Sequence, residues 1–129
     1  MPTERKVVLF VDDDADLRRL AQLSLERIGG FEVILASSGE ACIEVLTSKR
    51  RVDLIVLDVR MAGMGGPATM EHIRTTWGAE APPVVFLTAN AQSEEIERYR
   101  ALGSEGVLTK PFDPLTLSAD LLRVVGDKL

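Results

Sequence analysis

The chain has 129 residues, 46% of them apolar and 27% charged, and its 15 Lys and Arg against 20 Asp and Glu give a net charge of −5. This length fits one domain on the usual scale of roughly 100 to 200 residues, so we expect a single domain over residues 1–129 with a core of about 5–127 and no second catalytic domain. The composition excludes disordered and low-complexity classes, and the acidic balance argues against direct binding of nucleic acid.

Neither a membrane segment nor a cysteine framework is expected. The longest apolar runs are far shorter than the roughly 18 residues that cross a bilayer, and the N-terminus lacks a signal-peptide core, so we expect a soluble, cytoplasmic protein without membrane partners. The single Cys42 excludes an internal disulfide and a structural zinc site, and we expect it to be a small core residue.

Short apolar runs alternate with longer segments of helical period along the whole chain. The runs predict five strands at Val7–Val11, 33–35, 54–57, 84–87 and 107–108. Apolar residues spaced three and four apart predict helices over 17–28, around 42–46, around 96–99 and over 117–125, and 66–77 completes a set of five. Ser37 with Glu40 resembles a capping box, and Asp113 with Pro114 resembles a helix start. Regular βα alternation with Val-, Ile- and Leu-rich strands predicts an α/β fold with a parallel sheet covered on both faces.

Polar residues follow four of the predicted strands directly. They are Asp12, Asp13 and Asp14 after the first strand, Asp58 after the third, Thr88 after the fourth, and Thr109 and Lys110 after the fifth. The ligand crevice of such sheets lies at the carboxyl ends of the strands, so we expect these groups to meet. Clustered carboxylates repel by up to about 4 kcal/mol per pair at 4 Å and a dielectric of 20, which a cation must offset. An oxygen-only ligand set favours Mg²⁺, and with Lys110 and Thr88 as donors the set suits phosphoryl transfer, in which an Asp can be the nucleophile.

Four motifs in order carry a family resemblance over the whole length of the chain. They are Phe10-Val11-Asp12-Asp13-Asp14, Val56-Leu57-Asp58-Val59-Arg60-Met61, Leu87-Thr88-Ala89 and Thr109-Lys110-Pro111-Phe112. Each is weak alone, but four in succession at strand ends are specific. The chain resembles the receiver domain of bacterial two-component response regulators, in particular the stand-alone type seen in chemotaxis regulators.

The resemblance implies a flavodoxin-like, doubly wound, three-layer αβα fold with strand order 2-1-3-4-5, and often a cis bond before Pro111. It implies that Asp58 accepts a phosphoryl group from a histidine kinase or a histidine phosphotransfer protein. Mg²⁺ (or Mn²⁺) would be held by Asp12, Asp13, Asp58 and the backbone carbonyl of Arg60. Lys110 and Thr88 would bind phosphoryl oxygens.

The implied output is a conformational shift rather than a product. The domain would be a phosphoacceptor that assists its own phosphorylation and dephosphorylation, not an enzyme in the ordinary sense. Its downstream target would be a protein or a further relay component, and a homodimer is compatible with the resemblance. The chain could equally be a stand-alone receiver or a segment of a larger regulator.

Val107 and the loop after Asp58 depart from the family pattern, and Arg60 lies at a position where family members differ in how fast they lose phosphate. Val107, three residues before Lys110, stands where receivers usually have Tyr or Phe, so either the aromatic part of the switch is absent or Val107 simply fills core volume. The loop Met61-Ala62-Gly63-Met64-Gly65-Gly66 lacks the usual proline and gains freedom. Arg60 either contacts the phosphoryl group or is a solvated surface charge.

Two other functions use the same residues differently. A small Mg²⁺-dependent phosphohydrolase with Asp58 as nucleophile would need a substrate pocket, and a phosphorylation-independent pseudo-receiver would not need the complete set of site groups. His72, the single histidine, is interpreted as a helix-surface residue, and Lys49-Arg50-Arg51 as the solvated end of the second helix.

Overall fold

A computed structural model describes residues 5–129; residues 1–4, at the beginning of the predicted domain, lie outside the described residues. Five strands alternate with five helices: β1 (Val7–Val11), α1 (Ala15–Arg27), β2 (Glu32–Ala36), α2 (Gly39–Thr47), β3 (Leu54–Asp58), α3 (Gly66–Trp77), β4 (Val84–Thr88), α4 (Ser93–Ala101), β5 (Gly106–Thr109) and α5 (Leu117–Val125). Short 3₁₀ turns at Gly78–Glu80 and Gly126–Lys128 follow α3 and α5. The predicted strands and helices are confirmed, with ends that move by a few residues.

The strands form one parallel sheet in the order β2-β1-β3-β4-β5, as the resemblance implied. The chain first winds outward from β1 to β2 and then crosses to β3, so the order reverses beside β1. This reversal opens a crevice at the carboxyl ends of β1 and β3, which is where ligands bind in doubly wound sheets.

The core lies in two layers, one on each face of the sheet. Alternate residues of each central strand point to opposite faces, so that Leu9 and Phe86 join one cluster while Phe10 and Leu87 join the other. The first cluster packs against α2, α3 and α4, and the second against α1 and α5. Every residue of β1, β3 and β4 is buried, which accounts for their apolar sequences.

The helix ends correct three details of the sequence analysis. Ser38 caps α2 by accepting a hydrogen bond from the Ala41 amide, so Ser37 is not the capping residue. Asp113 caps a turn through the Leu115 amide, and α5 itself begins later, at Leu117. Helix α2 ends at Thr47, so Lys49-Arg50-Arg51 lies in the loop beyond the helix.

Cys42 is fully buried in the α2 face of the core, and burial raises the pKa of its thiol to about 12. This confirms Cys42 as a structural core residue, since a thiol that stays protonated is unreactive. Within residues 5–129, no helix combines the length and the apolar character that crossing a bilayer requires.

The start of α3 is pressed against the end of β3. A Cβ atom at Gly66 would lie 2.6 Å from the Asp58 carbonyl oxygen and 2.9 Å from the Val59 Cα atom. Both are backbone atoms that cannot turn aside, so a glycine at this position holds α3 close to the strand that ends in Asp58.

We expect Gly66→Ala to lower the free energy of unfolding by about 1 to 3 kcal/mol, because the extra methyl group overpacks this contact. The urea midpoint of the chain measures the loss. Ala68→Ser, at an exposed position of the same helix turn, is the matched control and should stay within about 0.5 kcal/mol of wild type. Equal stability of the two variants would contradict the close-packing interpretation.

Candidate functional site

Four strands deliver polar side chains to one edge of the sheet. Asp58 and Thr88 are the last residues of β3 and β4, while Asp12 and Lys110 directly follow β1 and β5. Adjacent strands are in register here, with Val11 opposite Leu57 and Thr88 opposite Thr109. Strand pairing therefore brings the predicted groups together.

Lys110 lies between the two buried carboxylates. Its Nζ atom is 2.8 Å from Asp12 Oδ2 and 3.1 Å from Asp58 Oδ2. Burial alone would lower the pKa of Lys110, but its hydrogen bonds to Asp12 and Asp58 and their charges outweigh that effect and raise the pKa above the ordinary value. The ammonium group is thus held in its charged form, where it offsets the carboxylate repulsion. The peptide bond between Lys110 and Pro111 is cis, as the resemblance implied.

Asp58 is buried and carries a charge that the site does not fully compensate. Burial is the main cause that raises its pKa, and the neighbouring Asp12 raises it further, while contacts with Lys110 and the Arg60 backbone lower it. The net direction is upward, because desolvation and a like charge both disfavour the ionised form. An added cation would relieve this unfavourable charge.

Backbone and side-chain contacts fix Asp12. Its Oδ1 accepts a hydrogen bond from the Asp14 amide at 2.9 Å, and the Arg18 guanidinium donates to its carbonyl oxygen at 2.8 Å. Asp14 itself caps α1 by accepting from the amides of Asp16 and Leu17. Asp14 is therefore a helix cap, whereas Asp12 points into the site. Arg18 was missed from the sequence, where it is one of several charged residues on α1.

Asp13 completes a group of three carboxylates. It is exposed, and its Oδ2 accepts a hydrogen bond from the Ala62 amide at 3.3 Å. One carboxylate oxygen each from Asp12, Asp13 and Asp58 lies within 4.8 Å of the other two. Two of these residues are buried, and Lys110 supplies a single positive charge, so the cluster is chemically suited to a hard divalent cation such as Mg²⁺. The residues present fit the ion that the resemblance implied.

Asp58 and Thr88 share a small cavity. The acceptor pocket, with a volume of about 80 Å³, is lined by Asp58, Val59, Arg60, Thr88, Ala89 and Lys110. The Thr88 hydroxyl is turned to the next loop, where it accepts from the Asn90 amide at 3.1 Å and lies 3.3 Å from the Asn90 carbonyl oxygen. Thr88 therefore lines the pocket while its hydroxyl is engaged elsewhere.

Two other residues named from the sequence, His72 and Val107, lie apart from this chemistry, whereas Arg60 lines the acceptor pocket. His72 is exposed on α3, in agreement with its interpretation as a surface histidine. Val107 is half-buried and packs against the cluster on the α2, α3 and α4 face, which favours its role as core volume. The Arg60 side chain is exposed beside the acceptor pocket, and its contact with a phosphoryl group stays a hypothesis.

Comparisons with known proteins point to one family. The model of the response regulator receiver domain matches residues 8–122. Transcriptional regulatory protein YvrH of Bacillus subtilis is 37% identical over 116 residues, covering 90% of this chain and 47% of that protein. Transcriptional regulatory protein CpxR of Escherichia coli is 35% identical over 120 residues, covering 92% of this chain and 48% of its own. The chain thus spans about half the length of these curated relatives.

Solved structures agree with the sequence comparisons. The chemotaxis response regulator CheY4 of Vibrio cholerae superimposes with a TM-score of 0.84 at 32% identity, over 94% of this chain and 99% of that one. The similarity therefore extends over nearly the whole of both chains.

We expect Lys110→Met to lower the free energy of unfolding at pH 7 by about 3 kcal/mol, because it leaves two buried carboxylates without their cation. The folded chain takes up a proton on Asp58 more readily than the unfolded chain does, since its pKa is raised. The ionised Asp58 carboxylate therefore destabilises the folded chain above the pKa that Asp58 has in the folded state. This destabilisation is relieved as the pH falls through that pKa. The deficit of the variant should shrink on acidification, as measured by urea titrations at several pH values.

Lys128→Met is the matched control, because its exposed ammonium is 3.5 Å from Glu105. Lys128→Met should lower the free energy of unfolding by less than about 1 kcal/mol, and this loss should not shrink on acidification. A Lys110→Met variant as stable as Lys128→Met would refute the compensating role of Lys110.

Proposed function

The chain belongs to the response regulator receiver domain family, and from that premise we propose that Asp58 is its phosphoacceptor. Receiver domains are phosphoacceptor modules of two-component signalling rather than enzymes in the ordinary sense. The observation that carries the assignment to Asp58 is its position in the acceptor pocket, buried and 3.1 Å from the Lys110 ammonium. A carboxylate that is desolvated beside a fixed cation is suited to attack phosphorus.

In the proposed reaction, an Asp58 oxygen attacks the phosphorus atom of a phosphohistidine. The new O–P bond forms as the N–P bond breaks, and the electron pair of the N–P bond stays on the imidazole nitrogen. Lys110 neutralises charge on one phosphoryl oxygen, and Thr88 donates a hydrogen bond to another once its hydroxyl leaves Asn90. The same groups would assist the later loss of the phosphoryl group to water.

Receiver domains bind Mg²⁺ at an acidic pocket, and in this chain we propose Asp12, Asp13, Asp58 and the Arg60 backbone carbonyl as its ligands. The bound ion, Mg²⁺ or Mn²⁺, would supply positive charge to the phosphoryl oxygens. The carboxylate cluster supports this assignment. Asp13 is the exposed member of the cluster, so it can bind a cation without giving up a buried contact.

We propose a histidine kinase or a histidine phosphotransfer protein as the phosphoryl donor and a protein as the downstream target. The named relatives are transcriptional regulatory proteins of about twice this length. We propose no direct contact between this chain and nucleic acid, in keeping with its net charge of −5. A homodimer remains compatible with this proposal.

Acetyl phosphate with Mg²⁺ should add one phosphoryl group to the wild-type chain, detected by intact-mass measurement. Asp58→Asn should lose the addition, because an amide is no nucleophile towards phosphorus. Asp53→Asn, a carboxylate that instead accepts a hydrogen bond from the Val7 amide, is the control that should keep it. Steady turnover of acetyl phosphate without a persistent adduct would favour a phosphohydrolase, and no reaction would favour a pseudo-receiver.

Mg²⁺ at tenfold its dissociation constant should stabilise the folded chain by about 1.4 kcal/mol, since it binds the folded carboxylate cluster. This corresponds to a rise of roughly 5 °C in the melting temperature, measured by calorimetry. Asp13→Ala should abolish the rise without destabilising the metal-free chain, because it removes one of three like charges. Asp16→Ala, exposed on α1, should retain the rise. A metal-free Asp13→Ala variant that melts well below wild type would contradict the repulsion argument.

A further inference from the structure

A second cavity lies beside the acceptor pocket. This side cavity has a volume of about 240 Å³ and is lined by Arg60, Thr88, Ala89, Asn90, Glu95 and Tyr99. It shares Arg60, Thr88 and Ala89 with the acceptor pocket. One side of the side cavity is therefore formed by residues of the acceptor pocket and the loop after β4, and the other side is formed by α4.

Tyr99 links the side cavity to the strand that ends in Thr88. Its ring centroid is 5.0 Å from that of Phe86, at an interplanar angle of 45°. Phe86 and Thr88 are two residues apart on β4 and so face the same side of the sheet. The Tyr99 hydroxyl donates a hydrogen bond to Glu95 Oε2 at 2.8 Å. Tyr99 therefore packs on the strand that ends in Thr88 and lines the same cavity as Thr88.

Helix α4 depends on this ring for its attachment. All nine residues of α4 are described, and Tyr99 is the one among them that is buried. Ile96 is half-buried, and most of the remaining residues are charged and exposed. Elements with little buried apolar area open and shift most easily, so the position of α4 follows the position of the Tyr99 ring.

The Thr88 hydroxyl cannot stay where it is when a phosphoryl group binds it. It is engaged with the Asn90 backbone, and turning it towards Asp58 breaks this contact with the loop after β4. Val107, which packs on the same face of the sheet, has no ring to follow that movement. Tyr99, in contrast, has an aromatic ring and lines the side cavity together with Thr88, so there is open volume beside the ring.

We infer that Tyr99 is a positioning residue that couples Thr88 to α4. When Thr88 turns to the phosphoryl group on Asp58, the Tyr99 ring moves into the side cavity and α4 moves with it. The inference rests on the proposed function, because phosphorylation of Asp58 supplies the signal. Ring packing carries the coupling, and the hydroxyl contact with Glu95 lies within α4, so it travels with the helix.

The chain contains one Tyr and one Trp, which allows a direct test in the full wild-type protein. Fluorotyrosine labels Tyr99 alone, and fluorotryptophan labels Trp77 on α3 as the internal control. Acetyl phosphate with Mg²⁺ is added in excess, and the same sample is measured by fluorine NMR and by intact mass. We expect the Tyr99 signal to shift as the phosphoryl adduct appears, while the Trp77 signal moves little.

Variants separate ring packing from a merely structural role. Tyr99→Leu should still form the adduct but retain less than about half of the amide NMR shifts that phosphorylation causes in α4. Tyr99→Phe keeps the ring and should restore them, and Glu97→Ala, exposed on the same helix, should leave them unchanged. The fluorine measurement on the wild-type chain does not depend on whether Tyr99→Leu folds.

Each remaining outcome decides against one of the two proposals. An adduct on Asp58 with an unmoved Tyr99 signal, or full α4 shifts in a phosphorylated Tyr99→Leu variant, overturns the role of Tyr99 and leaves the proposed function intact. Absence of the adduct overturns the proposed function, and the role of Tyr99 falls with it.

Discussion

The ion contacts of Lys110 with Asp12 and Asp58 are the interaction on which this molecule depends. Parallel pairing of β1 with β3 places two buried carboxylates side by side, and no rearrangement of side chains can separate strands that share a hydrogen-bond ladder. Two desolvated like charges are tolerable only with a cation between them. Lys110 directly follows β5, and this position holds its ammonium group at the sheet edge.

This arrangement leaves the folded site with negative charge that is not compensated. One ammonium group faces two carboxylates and a third, exposed one lies close by, so the local charge remains negative. A divalent cation and a phosphoryl group bring charges of opposite sign, and together they change the partners of Lys110, Asp58 and Thr88 at once. The uncompensated negative charge that reduces the stability of the resting chain would thus favour a bound cation, and that cation would in turn offset the negative charge of the phosphoryl group.

Much of this could be read from the sequence, for identifiable physical reasons. Buried parallel strands need continuous apolar runs, so β1, β3 and β4 were predicted within a residue of their ends. The proximity of Asp12, Asp58, Thr88 and Lys110 could be predicted because strand ends meet at one edge whatever the loops do. Helix starts were less accurate: Ser37 and Ser38 are chemically equivalent caps, and only the backbone path selects Ser38.

Contacts between separate elements could not be predicted from the sequence. The spacing of Ile96 and Tyr99 indicated a helix face, but nothing indicated that Tyr99 would meet Phe86 or border a cavity beside Thr88. The same holds for Arg18, whose partner is a backbone carbonyl that carries no sequence signal. Side-chain chemistry at strand ends is thus predictable from topology, whereas neighbours across the core depend on helix orientation.

The helices are attached to the sheet with unequal strength, and this inequality indicates where a signal can travel. Helices α1, α2, α3 and α5 each bury three or four residues, whereas α4 buries Tyr99 alone. A shift of the charged edge that had to displace α3 would disturb Met70 and Ile73 in the core, and close packing makes such changes costly. Moving α4 disturbs one ring that already has open space beside it. A charge change at Asp58 therefore displaces α4 more readily than it displaces the other helices.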